Sequence, residues 1–137
     1  DLAGWLVAAG LGGGSGPFNA VGETVRLADH LQLAREAAGH IGPLVAAGQD
    51  WLIAHGVAEW MGERSLPLWL YDPDFAGFTS TSGAAARAAG LTPRPLADTL
   101  ADVLLWEEEQ GVDRPRRAGL TREEERDLLA AFSASGR

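Results

Sequence analysis

Apolar residues recur at three- and four-residue spacing through most of the chain, and a repeated signal breaks the runs. A glycine followed by an apolar residue stands at Ala9-Gly10-Leu11, His55-Gly56-Val57, Ala89-Gly90-Leu91 and Gln110-Gly111-Val112, and Gly39 is followed one residue later by Ile41. Glycine enters the left-handed conformation that stops a helix, and the apolar residue behind it folds back on the last turn. The spacing therefore predicts five helices with their ends marked, and a sixth near the carboxyl terminus.

The starts and faces of these runs agree with the stops. Asp1 suits the cap of the first helix, whose Leu2, Trp5, Leu6 and Ala9 share one side. Thr24 suits the cap of the second, with Leu27, Leu31 and Ala34 in one stripe beside Ala28 and Ala38. Asp50 would open a short third helix from Trp51 to His55, and the cluster from Thr79 to Ser82 precedes the alanine run Ala84 to Ala89. Pro95 fits the first turn of the fifth helix, where Leu96, Leu100, Val103 and Leu104 face one way and Asp98, Asp102 and Glu109 another. The sixth begins at Thr121 with Glu124 three residues on, a capping box, and continues through Leu128, Leu129 and Phe132.

Strand signals are sparse. Pro17 to Val21 follows the glycine run and stops at Gly22, and Leu44 to Ala47 is the other candidate. Two strands of that length make no stable sheet unaided, so they either pair beneath helices or belong to a sheet elsewhere. The expected fold class is α/β and helix-rich, with about six helices and two short strands. Residues 1–137 read as one region, with a glycine-rich linker over 10–17 and a helical extension over 113–137.

Composition then narrows the chemistry. The 137 residues carry no cysteine, which excludes disulfides and thiolate metal sites. No apolar run reaches the roughly 20 residues of a spanning helix and no signal peptide opens the chain, so a cytoplasmic location and no membrane partner are expected. All 11 basic residues are arginine, so lysine-dependent mechanisms are absent from the chain. Met61 is the only methionine and Asp1 comes first, which points to a piece cut from something longer. Residues 1–112 hold 14 acids against 5 arginines, net -9, and residues 113–137 hold 5 acids against 6 arginines, net +1. Acidic surface repels a phosphate backbone, so no nucleic-acid partner is expected. Arg114, Arg116 and Arg117 follow Glu107, Glu108 and Glu109 at a helix end, where positive groups offset those acids and the helix dipole.

Motif by motif, catalytic readings give way to structural ones. Gly10-Leu11-Gly12-Gly13-Gly14-Ser15 fails the last glycine of Gly-x-Gly-x-x-Gly and leads into Pro17, where a pyrophosphate loop must open a helix. His30, His40 and His55 share no helical spacing, so no metal is expected. Asp72-Pro73-Asp74 with Gly77 echoes a calcium loop, but its twelfth position is Gly83 rather than a glutamate. Ser80 and Ser82 stand in no Gly-x-Ser-x-Gly context and read as helix caps.

The middle of the chain is the most unusual part. Trp60, Met61, Leu66, Leu68, Trp69, Leu70, Tyr71, Phe75 and Phe78 crowd large apolar groups into a segment that reads as loop. A loop this apolar covers something: the domain's own core, or a ligand pocket or partner domain walled by these rings.

At this point the ordered motifs resemble the carboxyl-terminal part of the extended short-chain dehydrogenase/reductases, the NAD-dependent epimerase/dehydratase family, in its bacterial reductase or isoflavone-reductase-like branch. Asp1-Leu2-Ala3 is similar to the Asp-Leu-Ala opening a helix after the family's catalytic half. Gly16-Pro17-Phe18-Asn19-Ala20-Val21-Gly22 is similar to its Gly-x-Phe/Tyr-Asn-x-x-Gly strand. Trp51-Leu52, His55-Gly56-Val57, Trp60 and Leu66-Pro67-Leu68-Trp69-Leu70 resemble its middle segment, and Gly90-Leu91, Arg94-Pro95-Leu96, Thr99 and Trp106 its closing helix. The resemblance spans nearly the whole chain, although the segment before Ala84 departs from the usual Asp-x-Ser-Arg/Lys pattern.

The resemblance implies a substrate-binding, lid-forming part of an NAD(P)-dependent oxidoreductase or epimerase, inactive without an upstream Rossmann half. That half would be its partner and would hold NAD or NADP, none of which is expected to bind this chain alone. No catalytic residue carries over: the family's Tyr-x-x-x-Lys pair is missing, since Phe75 stands four positions after Tyr71, the only tyrosine. The expected contacts with a small-molecule substrate are Trp60, Met61, Trp69, Phe75 and Phe78, with Arg94 as an anion contact. The strand from Phe18 to Val21, without its sheet, would pair two copies into a homodimer. The alternative is a free-standing, non-catalytic helical module that docks a protein partner through the same apolar loop.

Overall fold

The computed structural model describes residues 1–136, leaving Arg137, the last residue of the expected 113–137 extension, outside the described set. Among the described residues it is helix-rich, with helices α1 (Leu2–Leu11), α2 (Leu27–Ala37), α3 (Gln49–Ala54), α4 (Ala84–Ala88), α5 (Leu96–Gln110) and α6 (Arg122–Ala134). Strands β1 (Ala58–Glu59) and β2 (Ser65–Leu66) form a two-stranded parallel sheet, and single 3₁₀ turns occupy Pro73–Phe75 and Phe78–Ser80. The chain divides into two compact units, Asp1–His40 with Gly77–Glu109, and Ile41–Ala76 with Gln110–Arg137.

In the first unit the core is Trp5 from α1, Ala86 from α4 and Leu91, with Ala9 and Phe18 packed against them. The Trp5 indole N–H donates to the Ala89 carbonyl at 2.9 Å, and the ring meets Phe18 edge-on at 5.5 Å. The ending of α4 follows the glycine signal: Gly90 has φ +92°, the Leu91 N–H donates back to Ala86 at 2.9 Å, and Leu91 is buried.

The first helix departs from expectation. It continues through Gly10 to Leu11 and ends where the Gly12 N–H reaches Ala8 at 2.9 Å and the Gly14 N–H reaches Ala9 at 2.8 Å, around Gly13 at φ +71°. Leu11 is 86% exposed, so no apolar fold-back favours a stop at Gly10, and the next glycines end the helix instead. Gly39 does close α2, at φ +60°, yet Ile41 behind it is 95% exposed.

Two expected caps also move. Arg26, in extended conformation, precedes α2 in place of Thr24, and its guanidinium grips Asp29 of the first turn at 2.8 and 3.0 Å. That hydrogen bond holds the Asp29 carboxyl below, and the Arg26 guanidinium above, their ordinary values. Gly48 precedes α3, leaving Asp50 within its first turn.

The second unit is built around Trp51, Val57 and Leu128, surrounded by Leu52, Leu66, Trp69, Leu120, Ala131 and Phe132. Trp51 meets Phe132 edge-on at 5.1 Å, while the His55 ring stacks on it at 3.8 Å and its Nδ1 lies 2.8 Å from the Trp51 carbonyl. The capping box at the start of α6 forms as read, with Thr121 and Glu124 bonded reciprocally.

The strands are not where the pattern placed them. Residues 17–21 and 44–47 are irregular. Within 17–25 the one backbone bond among the described residues is the short turn from the Val21 N–H to Asn19 at 3.0 Å. Both candidates lie beside a proline and lack a neighbour to pair with, and short strands gain stability only from pairing. The pair that does form joins Ala58 to Ser65 and Glu59 to Leu66 across a five-residue loop, 60–64. So short a parallel connection demands sharp reversals, supplied by left-handed backbone at Trp60, Gly62 and Arg64. Ser65, fully buried, ties the loop down: its hydroxyl donates to Gly62 at 2.7 Å and accepts from the Gly119 N–H at 3.0 Å.

Candidate functional site

Of the expected substrate contacts, Trp60, Met61, Trp69 and Phe75 belong to the second unit, and Phe78 and Arg94 to the first. Within the second unit Trp60 and Trp69 are brought together, the Trp60 N–H donating to the Trp69 carbonyl at 3.1 Å. Met61 sits on the reversal between them, its N–H on the Glu59 carbonyl at 2.7 Å and its side chain exposed. Trp69 is half-buried, packed on the core at one side and 5.0 Å from the Tyr71 ring at the other. Glu59 fixes this stretch, one carboxylate oxygen taking the Tyr71 N–H at 2.6 Å and the Asp72 N–H at 3.2 Å. Asp72 caps the next turn by accepting from the Asp74 N–H at 2.9 Å, and Phe75 rides on that turn, exposed.

Trp60 is the least expected element of this wall. Its φ of +65° places a bulky side chain in a region that costs non-glycine residues free energy, on the order of 1 kcal/mol or more. The paired strands and the bond to Trp69 hold it there, so the indole is presented by a constrained backbone. No sequence signal marks this, because nothing in the residue types distinguishes a left-handed tryptophan.

In the first unit, Phe78 opens a 3₁₀ turn and is exposed. Arg94 is bound to carboxylates on both sides: its backbone N–H donates to Asp1 at 2.8 Å, its Nε lies 3.6 Å from Asp1, and its Nη1 donates to Asp102. An anion reaching this guanidinium would compete with two carboxylates already in place. Sequence reading missed Arg87, which lines an open cleft of about 860 Å³ in the same unit and whose side chain makes no hydrogen bond or ion pair among the described residues. The available signal was its position four residues after Gly83 in an otherwise alanine-rich run.

The glycine run does not fit a dinucleotide. It stands at the carboxyl end of α1, where the Gly12 and Gly14 amides are already bonded to α1 carbonyls at 2.9 and 2.8 Å, so neither aims at a phosphate. Among the described residues no group of three His, Asp or Glu side chains could hold a metal ion. Arg114 donates to the Gly111 carbonyl at 3.2 Å and Arg116 to that of Val112 at 3.5 Å, so both meet backbone just beyond α5. No helix is long and apolar enough to cross a membrane among the described residues.

Fold and site thus give a helix-rich α/β chain with exposed aromatic side chains set along residues 60–75. Compared with known proteins, it matches no family model, no curated protein and no solved structure.

Proposed function

We propose that this chain is the substrate-binding, lid-forming part of a cytoplasmic NAD(P)-dependent reductase or epimerase, and that a Rossmann half encoded upstream binds the cofactor and performs the chemistry. The observation that carries the reading is the wall over residues 59–75, whose backbone is fixed by Glu59, by the Trp60 to Trp69 bond and by buried Ser65, while Trp60, Met61, Tyr71 and Phe75 stay open to solvent. Rings presented by a constrained backbone suit a surface that orients a substrate for groups supplied elsewhere. The ordered likeness to the extended short-chain dehydrogenase/reductases supplies the class, and the irregular stretch 17–25, with one backbone bond of its own among the described residues, leaves backbone groups for pairing with another part of the enzyme.

Reading the codons before Asp1 tests the proposal. It expects a strand, a glycine-rich turn and a helix, followed by a Tyr-x-x-x-Lys pair. An initiator methionine immediately before Asp1 would overturn it in favour of the helical interaction module.

A further inference from the structure

The cleft of about 860 Å³ in the first unit falls within the size range of small-molecule sites, and its apolar lining includes Val21, Val25, Leu91 and Leu96. Four charged side chains line it, and they differ in what they already hold. Asp1 and Arg94 are paired with each other at 3.6 Å, while Arg87 and Glu23 have no hydrogen-bonding or ionic partner among the described residues. An exposed guanidinium can remain solvated in this way, but one at the edge of an apolar cleft is also ready to take a carboxylate in its two-pronged geometry.

The backbone beside Arg87 is shaped to admit it. A Cβ on Gly83 would lie 2.9 Å from Arg87 Nη1 and 2.9 Å from the Val21 carbonyl oxygen, closer than real Cβ atoms come. Gly83 has an ordinary φ of -89°, so glycine is needed there for space and not for conformation. The missing side chain lets α4, the Arg87 guanidinium and the segment at Val21 approach one another at the cleft.

We propose that this cleft binds a small organic monocarboxylate, its charged end on Arg87 and its apolar body against Val21, Val25, Leu91 and Leu96. Glu23 on the same lining limits the ligand to one negative charge, because a dianion meets its carboxylate as well. The site stands or falls independently of the reductase reading.

The test uses the full chain and 3-phenylpropionate, followed through the amide shifts of Val21, Arg87 and Leu91. Saturable shifts at these positions are expected, with 3-phenylpropanamide and phenyl phosphate each binding roughly tenfold more weakly, the scale of one charge-assisted bond. Arg87→Gln, at an exposed position, should fold normally and lose about the same factor. Gly83→Ala should weaken binding by displacing the guanidinium, and adding it to Arg87→Gln should cost little further. Arg126→Gln, in the other unit, should bind as the parent does. The proposal is overturned if no saturable shift occurs by 10 mM ligand (roughly 2.7 kcal/mol of binding free energy), if the amide or phenyl phosphate binds as well as the carboxylate, or if Arg87→Gln binds unchanged.

Discussion

Trp5 is the side chain on which the first unit should depend most. It is 9% exposed, contributes the one large ring among the buried residues Trp5, Ala86 and Leu91, and donates its indole N–H to Ala89 at 2.9 Å. Truncation to alanine removes a buried aromatic side chain and leaves a cavity, a cost of about 3–5 kcal/mol. Trp5→Phe keeps a ring against Phe18 but drops the hydrogen bond, at about 0.5–1.5 kcal/mol, and part of the buried area, for a total of about 1–2 kcal/mol. Set beside the few kcal/mol of a small core, the first change should unfold the unit and the second only weaken it. Hydrogen exchange at the Leu91 amide, which donates to Ala86 at 2.9 Å across the end of α4, reads this directly. Protection at Leu91 should vanish in Trp5→Ala and fall about 5- to 30-fold in Trp5→Phe. Unchanged protection in Trp5→Ala would refute the reasoning, because the core would then lie elsewhere.

Four further outcomes follow, three of them from particular bonds. Ser65→Ala should cost about 2 kcal/mol in urea denaturation, since it leaves the Gly119 N–H and the Gly62 carbonyl without their shared hydroxyl; a change below about 0.5 kcal/mol would show that water replaces it. Thr121→Ala should cost about 1 kcal/mol through loss of the α6 cap. The Thr121 N–H and hydroxyl, and then Arg64, hold the Glu124 carboxyl below its ordinary value, so its stabilisation is present above the unfolded carboxyl's range and disappears as pH falls through the depressed value. Urea midpoints should therefore drop less steeply below pH 5 in Glu124→Gln than in the parent, and equal slopes would contradict this. Sedimentation should show a concentration-dependent dimer through the segment from Phe18 to Val21, and a monomer at every concentration would count against that pairing.

The parts of the fold legible in the sequence are those decided by neighbours along the chain. Gly56 and Gly90 end their helices because Val57 and Leu91 fold back into buried positions, and Thr121 caps α6 with a partner three residues away. Where the deciding contact is distant, local pattern misleads. Asp1 makes no side-chain cap bond to α1, since its carboxylate meets Arg94, far along the chain. The strands at 58–59 and 65–66 carry little β-pattern of their own and are held by Ser65 and Gly119, a pairing that no periodicity encodes. The same holds for the site. The crowding of aromatic residues over 60–78 was plain, but the left-handed Trp60 and the grip of Glu59 on Tyr71 and Asp72 arise only in the folded loop.

The central claim, a substrate wall separated from its cofactor site, is tested most directly by nicotinamide fluorescence in parallel titrations of NADH and NADPH into this chain and into the complete gene product. Enhancement saturating at micromolar concentration is expected in the complete product only. Micromolar binding by this chain alone, or none by the complete product, would contradict the account.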